Sequence, residues 1–303
     1  MNEIEVRIFT EDDMQKLGDL YHAVTYNHNS VFWWVGDEKN WPNVFIAIED
    51  EHMIGKGQVS IISTVLPGSP EERSHYIYFN LKTLPQREDD YSLYDLLYER
   101  LLNRAYELKE TLPGSNRTII GIGNQSTEEC NNNYFISKGF IYAKSLYTMR
   151  RDLSEKIEET VLIDPYRCSR ETMDSEKRIE EYLAVDLEIW PDAPIGYQQL
   201  MDRKKNSSWT IFIARENETL VGSIMAWIDE DGDGIIEDLF VRNPYRKQGI
   251  AKFLLSQALT YLKDRGCSSA ELQVETANSS ALSVYHSTGF KEISEEVRYH
   301  REL

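Results

Sequence analysis

Residues 229–241 read DEDGDGIIEDLFV, and the two ends of this stretch call for different structures. Asp229, Asp231, Asp233 and Gly234 stand at positions 1, 3, 5 and 6 of an EF-hand calcium loop. The remainder, IIEDLFV, has the composition of a buried strand that carries two acids. Position 12 of an EF-hand supplies a bidentate Glu, and here that position is Phe240. The flank LVGSIMAW alternates with the strand period, and apolar β-branched residues follow Gly234. Gly232 and Gly234 among aspartates are hairpin-turn chemistry, so the stretch reads as a turn followed by a strand, with no metal. In an unbroken strand Glu237, Leu239 and Val241 share one face while Ile236, Asp238 and Phe240 share the other, so the two acids point to opposite sides.

The chain continues as VRNPYRKQGIAKFLL, in which Arg246, Gly249 and Ala251 follow the pattern [QR]-x-x-G-x-[GA] between a strand and an amphipathic helix. A helix that begins near Gly249 presents unpaired backbone N–H groups and the positive end of its dipole, and glycine lets a diphosphate approach the backbone. Arg242, Arg246, Lys247 and Lys252 surround this turn, an unusual cluster in a chain whose formal net charge is -18. Both halves of the sequence are acidic. Such a surface repels nucleic-acid phosphates and anionic lipid, and it favours a cationic substrate.

At 303 residues the chain has room for two domains of about 150 residues each. No segment has the roughly 18 apolar residues of a membrane span. The opening MNEIEVRIFTEDD is acidic and lacks an apolar core, so a secretory leader is not expected. Three widely spaced cysteines without a CxxC pair indicate neither a disulfide framework nor a zinc site, and a cytoplasmic location is expected.

The order of elements repeats. TIFIARENETLVGSIMAW, IAKFLLSQALTYLK, AELQV and YHSTGF in the second half answer NVFIAIEDEHMIGKGQVSI, LYDLLYERLLNRAYELK, RTIIGIG and YFISKGF in the first. Gly139-Phe140 and Gly289-Phe290 lie 150 residues apart. Residues 1–152 and 164–303 are therefore expected to be two copies of one α+β fold, joined by a charged segment. Each copy reads as a mixed, mostly antiparallel sheet flanked by helices. Thr10 with Asp13 has the form of a capping box, and SEKRIEEYLAVDLEIW has the apolar spacing of a helix that Pro191 ends.

The Arg246–Ala251 loop resembles the acetyl-CoA loop of the GNAT superfamily of N-acetyltransferases, and NSSALSVYHSTGF resembles that family's second signature. The resemblance covers roughly residues 165–303. It implies that the strand at Leu239, Phe240 and Val241 and the loop of Arg246, Lys247, Gln248, Gly249, Ile250, Ala251 and Lys252 hold acetyl-CoA, with Asn278 on the pantetheine arm. Asn278 also suits a helix N-cap, and the two roles are compatible. The resemblance further implies transfer of an acetyl group to a primary amine by direct attack, without a covalent enzyme intermediate. Glu237 or Asp238 would be the general base, the Val241 N–H would meet the carbonyl oxygen, and Tyr285 would be the general acid. A strand bulge would reset which acid faces the cleft.

In the first half Asp89 and Asp90 replace Arg246 and Lys247, Ser92 and Tyr94 replace Gly249 and Ala251, and Phe135 replaces Tyr285. The first copy is thus expected to keep the fold without the cofactor site. The implied partners are acetyl-CoA and an amine acceptor, with no nucleic acid, membrane or metal. The oligomer is a monomer, whose duplication forms an internal pseudo-dimer, or a homodimer. A non-catalytic acyl-CoA sensor is the alternative.

Overall fold

The computed structural model describes residues 4–26, 30–65, 73–114, 116–191 and 194–303. In the first half the elements are β1 (Glu5–Ile8), α1 (Met14–Thr25), β2 (Val44–Glu49), β3 (His52–Ser63), β4 (Ser74–Thr83), α2 (Tyr91–Lys109), β5 (Arg117–Gln125), α3 (Glu129–Ser137) and β6 (Ile141–Asp152). The second half runs β7 (Tyr166–Glu171), α4 (Glu176–Ile189), α5 (Gly196–Lys204), β8 (Thr210–Glu216), β9 (Thr219–Ile228), β10 (Gly234–Val241), α6 (Ile250–Asp264), β11 (Ser269–Glu275), α7 (Ser279–Ser287) and β12 (Lys291–Glu302). The repeat and the α+β class expected from the sequence are both present.

The compact units are Met1–Ser145 with Ser294–Leu303, and Leu146–Ile293. This corrects the division into residues 1–152 and 164–303, because each half gives its last strand to the other's unit. In the first unit the strand order is β1-β2-β3-β4-β5-β12, and Glu296–Glu302 pair antiparallel with Gln125–Ile119. In the second it is β6-β11-β10-β9-β8-β7, and Leu146–Asp152 pair antiparallel with Glu275–Ser269. The duplicated sheets offer the last strand two similar slots, β5 and β11, so the choice is not written in the strand itself.

Strand alternation builds a core on each face of each sheet. Phe45 and Ala47 pack with α2 through Leu93, Leu97 and Leu101, whereas Val44 and Ile46 pack with Leu17 and Leu20 of α1. In the second unit Phe212 and Ala214 face Leu254, Leu255 and Leu259 of α6, and Ile211 and Ile213 face Tyr182 of α4 and Leu200 of α5. Each such fully buried Leu contributes about 1.5–3 kcal/mol.

Two features of the second sheet shape its site. Parallel pairing of β10 with β11 extends only over Gly234–Ala270 and Ile235–Glu271, so the strands part beyond that point. The pairing of β10 with β9 shifts between Glu237 and Phe240: Glu237 lies opposite Met225 and Phe240 opposite Ser223. Asp238 and Leu239 thus share one partner position, and Asp238 takes a positive φ of 49°. This bulge overturns the face assignment made for an unbroken strand. Ile236 and Val241 lie in the α6 core and Phe240 in the α4–α5 core, with both acids directed toward α4 and α5.

Candidate active site

Where β10 leaves β11, a cavity of about 720 Å³ opens. Leu239, Phe240 and Val241 form one side, and Arg246, Lys247, Gly249, Ile250, Ala251 and Lys252 form the end at the start of α6. Asn278 and Tyr285 of the α7 region line the opposite side. Gly249 caps α6 with φ 82° and ψ -5°, a left-handed conformation that glycine adopts without strain. A Cβ here would meet no atom within 4 Å, so packing does not require the glycine; conformation and open access to the helix end do. Lys247 also has positive φ, 62°, which turns successive peptide groups around the loop.

The cations divide by task. Arg246 Nε donates to the Val241 carbonyl at 2.9 Å and ties the loop to the strand. Arg242 forks onto Glu188 at 3.1 and 2.8 Å, and Lys252 reaches Glu158 at 3.2 Å. Gln248 does not line the cavity; its Oε1 accepts from the Tyr166 hydroxyl at 2.8 Å, so only its backbone remains in the loop. The Asn278 side chain accepts from Ala281 N at 3.1 Å as the N-cap of α7. The Tyr285 side chain is buried, which pushes its hydroxyl up to about 12 and keeps it protonated across the physiological range.

Neither acid of β10 lines the cavity. Glu237 is held by the Arg203 fork at 2.9 and 2.8 Å, and Arg203 lies over the Trp227 ring at 5.2 Å. Asp238 accepts from the Tyr182 hydroxyl at 3.1 Å. Burial, then Asp186, then Glu237 push the Asp238 carboxyl up to about 7, against the Tyr182 hydrogen bond and Arg203. Sequence reasoning missed Tyr182 and Asp186; their spacing of four residues on a predicted helix was the available signal. It also missed Ile189 and Trp190, which line the cavity just beyond them.

The calcium-like stretch is a hairpin turn. Asp229 Oδ1 accepts from Asp231 N at 3.1 Å and Asp233 N at 2.9 Å, and Ser269 donates to Asp233. Among the described residues no group of three or more His, Cys, Asp or Glu side chains could hold a metal ion, and no helix is long and apolar enough to cross a membrane.

In the first unit the corresponding opening is filled by side chains. Tyr94, at the place of Ala251, packs against Tyr134 with ring centroids 4.8 Å apart and the planes tilted by 49°. Lys82, which the strand register places where Phe240 stands in the second unit, donates to Asn124 Oδ1 at 2.9 Å and pairs with Glu128, which stands where Asn278 does. Asn131, replacing Ala281, donates to the Leu81 carbonyl at 2.7 Å. The splayed strand of this unit is therefore satisfied by its own chain.

Residues 173–290, which contain the whole cavity wall, match the acetyltransferase (GNAT) family. This stretch of the second unit is similar to GNAT acetyltransferases. The chain is 28% identical over 176 residues to mycothiol acetyltransferase of Thermobispora bispora, covering 54% of this chain and 59% of that protein. Over 93 residues it is 31% identical to N-alpha-acetyltransferase 30 of Schizosaccharomyces pombe, covering 29% of this chain and 62% of that one. Matches to the curated relatives span 34% to 62% of those proteins' lengths. The GNAT fold extends over the whole chain. A GCN5-related N-acetyltransferase from Sphaerobacter thermophilus has TM-score 0.77 at 14% identity, covering 99% of this chain and 95% of that one. A tandem GNAT protein from the clavulanic acid biosynthesis pathway has TM-score 0.67 at 12% identity, covering 99% and 98%.

Proposed function

We propose that the chain is an acetyl-CoA-dependent N-acetyltransferase that acetylates a small cationic primary amine by direct attack in a ternary complex. The observation that carries this reading is the cavity whose one end is the open, glycine-capped start of α6 and whose wall holds the Tyr285 hydroxyl. Its residues fit the cofactor: backbone N–H groups at Gly249, Ile250 and Ala251 with Lys247 suit a diphosphate, and the Asn278 amide suits pantetheine. When bound, acetyl-CoA supplies an activated acetyl thioester.

An amine with a pKa of about 10.4 is almost wholly protonated at neutral pH, so a base must take its proton before the nitrogen can form the new bond to carbon. Asp238 is that base, directly or through water. It is half-buried and accepts from Tyr182, whereas Glu237 is committed to Arg203. The Val241 N–H donates to the carbonyl oxygen as charge develops there. As the carbon–sulfur bond breaks, the Tyr285 hydroxyl gives its proton to the leaving sulfur. The acidic surface and the two acids of β10 favour a cationic acceptor. The first unit serves as scaffold, because Lys82, Glu128 and Tyr94 fill the corresponding opening.

The test is thiol release from acetyl-CoA across a panel of amines, with the Tyr285→Phe and Asp238→Asn variants alongside. Amine-dependent release that both variants suppress is expected. Tight acetyl-CoA binding without amine-dependent release would replace this reading with that of a sensor.

A further inference from the structure

Val241 and Gly222 lie opposite one another where β10 runs along β9 beyond the bulge. Arg242 N donates to the Val221 carbonyl at 2.8 Å, so Arg242 and Val221 are a hydrogen-bonded pair and, by the alternation of antiparallel strands, Val241 and Gly222 are not. The Val241 N–H therefore points away from β9, toward the side from which β11 has parted. It belongs to the same planar, trans peptide group as the Phe240 carbonyl, which points the other way, at β9. Moving that oxygen moves the N–H.

Gly222 is buried at the point where β9 meets the oxygen. A Cβ on Gly222 would stand 2.9 Å from the Phe240 carbonyl oxygen, closer than Cβ atoms come to backbone in folded chains, with Ile250 Cγ2 and Leu254 Cδ1 at 3.3 Å. The first unit has an equivalent glycine. There Gly55 lies opposite Thr83, Leu84 N donates to the Ile54 carbonyl at 3.0 Å, and the register puts Lys82 where Phe240 stands. A Cβ on Gly55 would lie 3.4 Å from the Lys82 carbonyl oxygen, an ordinary contact, and its tightest neighbour is the end of a side chain, Leu97 Cδ1 at 3.0 Å. Of these two glycines, only Gly222, beside the cavity, is pressed by strand backbone.

We propose that Gly222 is a positioning residue for acyl transfer: by carrying no side chain it lets the Phe240–Val241 peptide settle against β9, and so sets where the Val241 N–H meets the thioester carbonyl oxygen. This deepens the acetyltransferase reading and rests on it, the Val241 donor included. Gly222 touches neither acetyl-CoA nor acceptor in this scheme. Alanine there must push the peptide by roughly 0.5 Å, the difference between 2.9 Å and an ordinary C···O contact of about 3.4 Å, because a backbone oxygen cannot swing aside as a side chain can.

Infrared spectroscopy of the full-length protein with acetyl-CoA carrying carbon-13 at the carbonyl reads the contact itself. Binding should move the thioester carbonyl band to lower wavenumber, as a hydrogen-bond donor does, and Gly222→Ala should lose most of that shift. Its kcat should fall by about ten- to a hundredfold, while its affinity for CoA, which lacks the carbonyl, stays unchanged. Gly55→Ala, the matched substitution in the first unit, should leave band and kcat as they are. A band that stays shifted in folded Gly222→Ala overturns the proposal. So does a fall in CoA affinity equal to the fall in kcat, which would place the effect at the start of α6. Gly222→Ala/Leu254→Val relieves side-chain crowding but not the carbonyl contact; if both variants fail to fold, the glycine is a packing requirement and the proposal is overturned. Failure of the acetyltransferase reading looks different: the unsubstituted protein would then bind acetyl-CoA without any shift of the band, or not bind it.

Discussion

Lys82 and Glu128 form a buried ion pair at the positions that Phe240 and Asn278 occupy in the other half of the chain. Lys82 is almost completely shielded, whereas Glu128 sits nearer to water. Asn124 and Asn131 complete the network where the second half has Val274 and Ala281. Where the second unit has an open cavity, the first has protein interior held by these polar side chains.

The pair is asymmetric in its dependence on each partner. Glu128→Gln strands a buried ammonium and should lower stability by about 3 kcal/mol in urea unfolding at neutral pH. Lys82→Met leaves a carboxylate that can hydrate and should cost less. Burial lowers the Lys82 pKa below the ordinary lysine value, so the unfolded chain binds more protons in the window between the two values. The Glu128→Gln deficit should therefore shrink as pH rises through that window. Equal, pH-independent costs would contradict this account.

Gly249→Val probes the α6 end. The added side chain meets open space in the free protein, so the cost there is limited to forcing a β-branched residue into a left-handed conformation, about 1–2 kcal/mol. In the acetyl-CoA complex it would occupy the space of the diphosphate. Calorimetric titration should show acetyl-CoA affinity falling by at least about tenfold, the equivalent of 1.4 kcal/mol. Unchanged affinity would remove the diphosphate from this helix end.

Tyr285→Phe should reduce kcat by about 10²- to 10⁴-fold, the range of general-acid catalysis, with acetyl-CoA affinity nearly unchanged. Since burial holds the Tyr285 hydroxyl near 12, its ionisation should leave no alkaline limb in the rate profile below that pH. A limb near 9 abolished by the substitution would indicate a different role.

The Arg7 guanidinium forks onto Asp13 at 2.7 and 2.8 Å, and Thr10 donates to the same carboxylate. The Arg7 hydrogen bonds, with help from Thr10, pull Asp13 down to about 2 from 3.8. The folded value lies below the unfolded one, so this stability is present above pH 3.8 and lost as pH falls through about 2. It amounts to about 2 kcal/mol. Asp13→Asn should lower the neutral-pH urea midpoint and flatten its acid dependence over that window.

Much of this was legible in the chain. The Arg246–Ala251 loop could be read because its chemistry is local: a glycine, a helix start and nearby cations are set by adjacent residues. The duplication could be read because alternation and the Gly-Phe pairs recur in order. The acids of β10 were half legible. Their presence was plain, but the bulge that directs both toward α4 and α5 depends on the register with β9, which one strand's pattern does not contain. Asp186 was hidden for a similar reason, since an acid on a helix reads as solvent-facing until the neighbouring strand is in place.

The traded last strands bear on how such a gene can evolve. In a simple tandem array either module can be lost, copied or spliced elsewhere as a contiguous stretch of coding sequence. Here the coding sequence for the cavity-bearing unit runs from Leu146 to Ile293, so its first strand is encoded upstream of the joint and the last residues belong to its sibling. Excision at the joint would give a gene product lacking a sheet strand, and the two copies are retained together as a single heritable block.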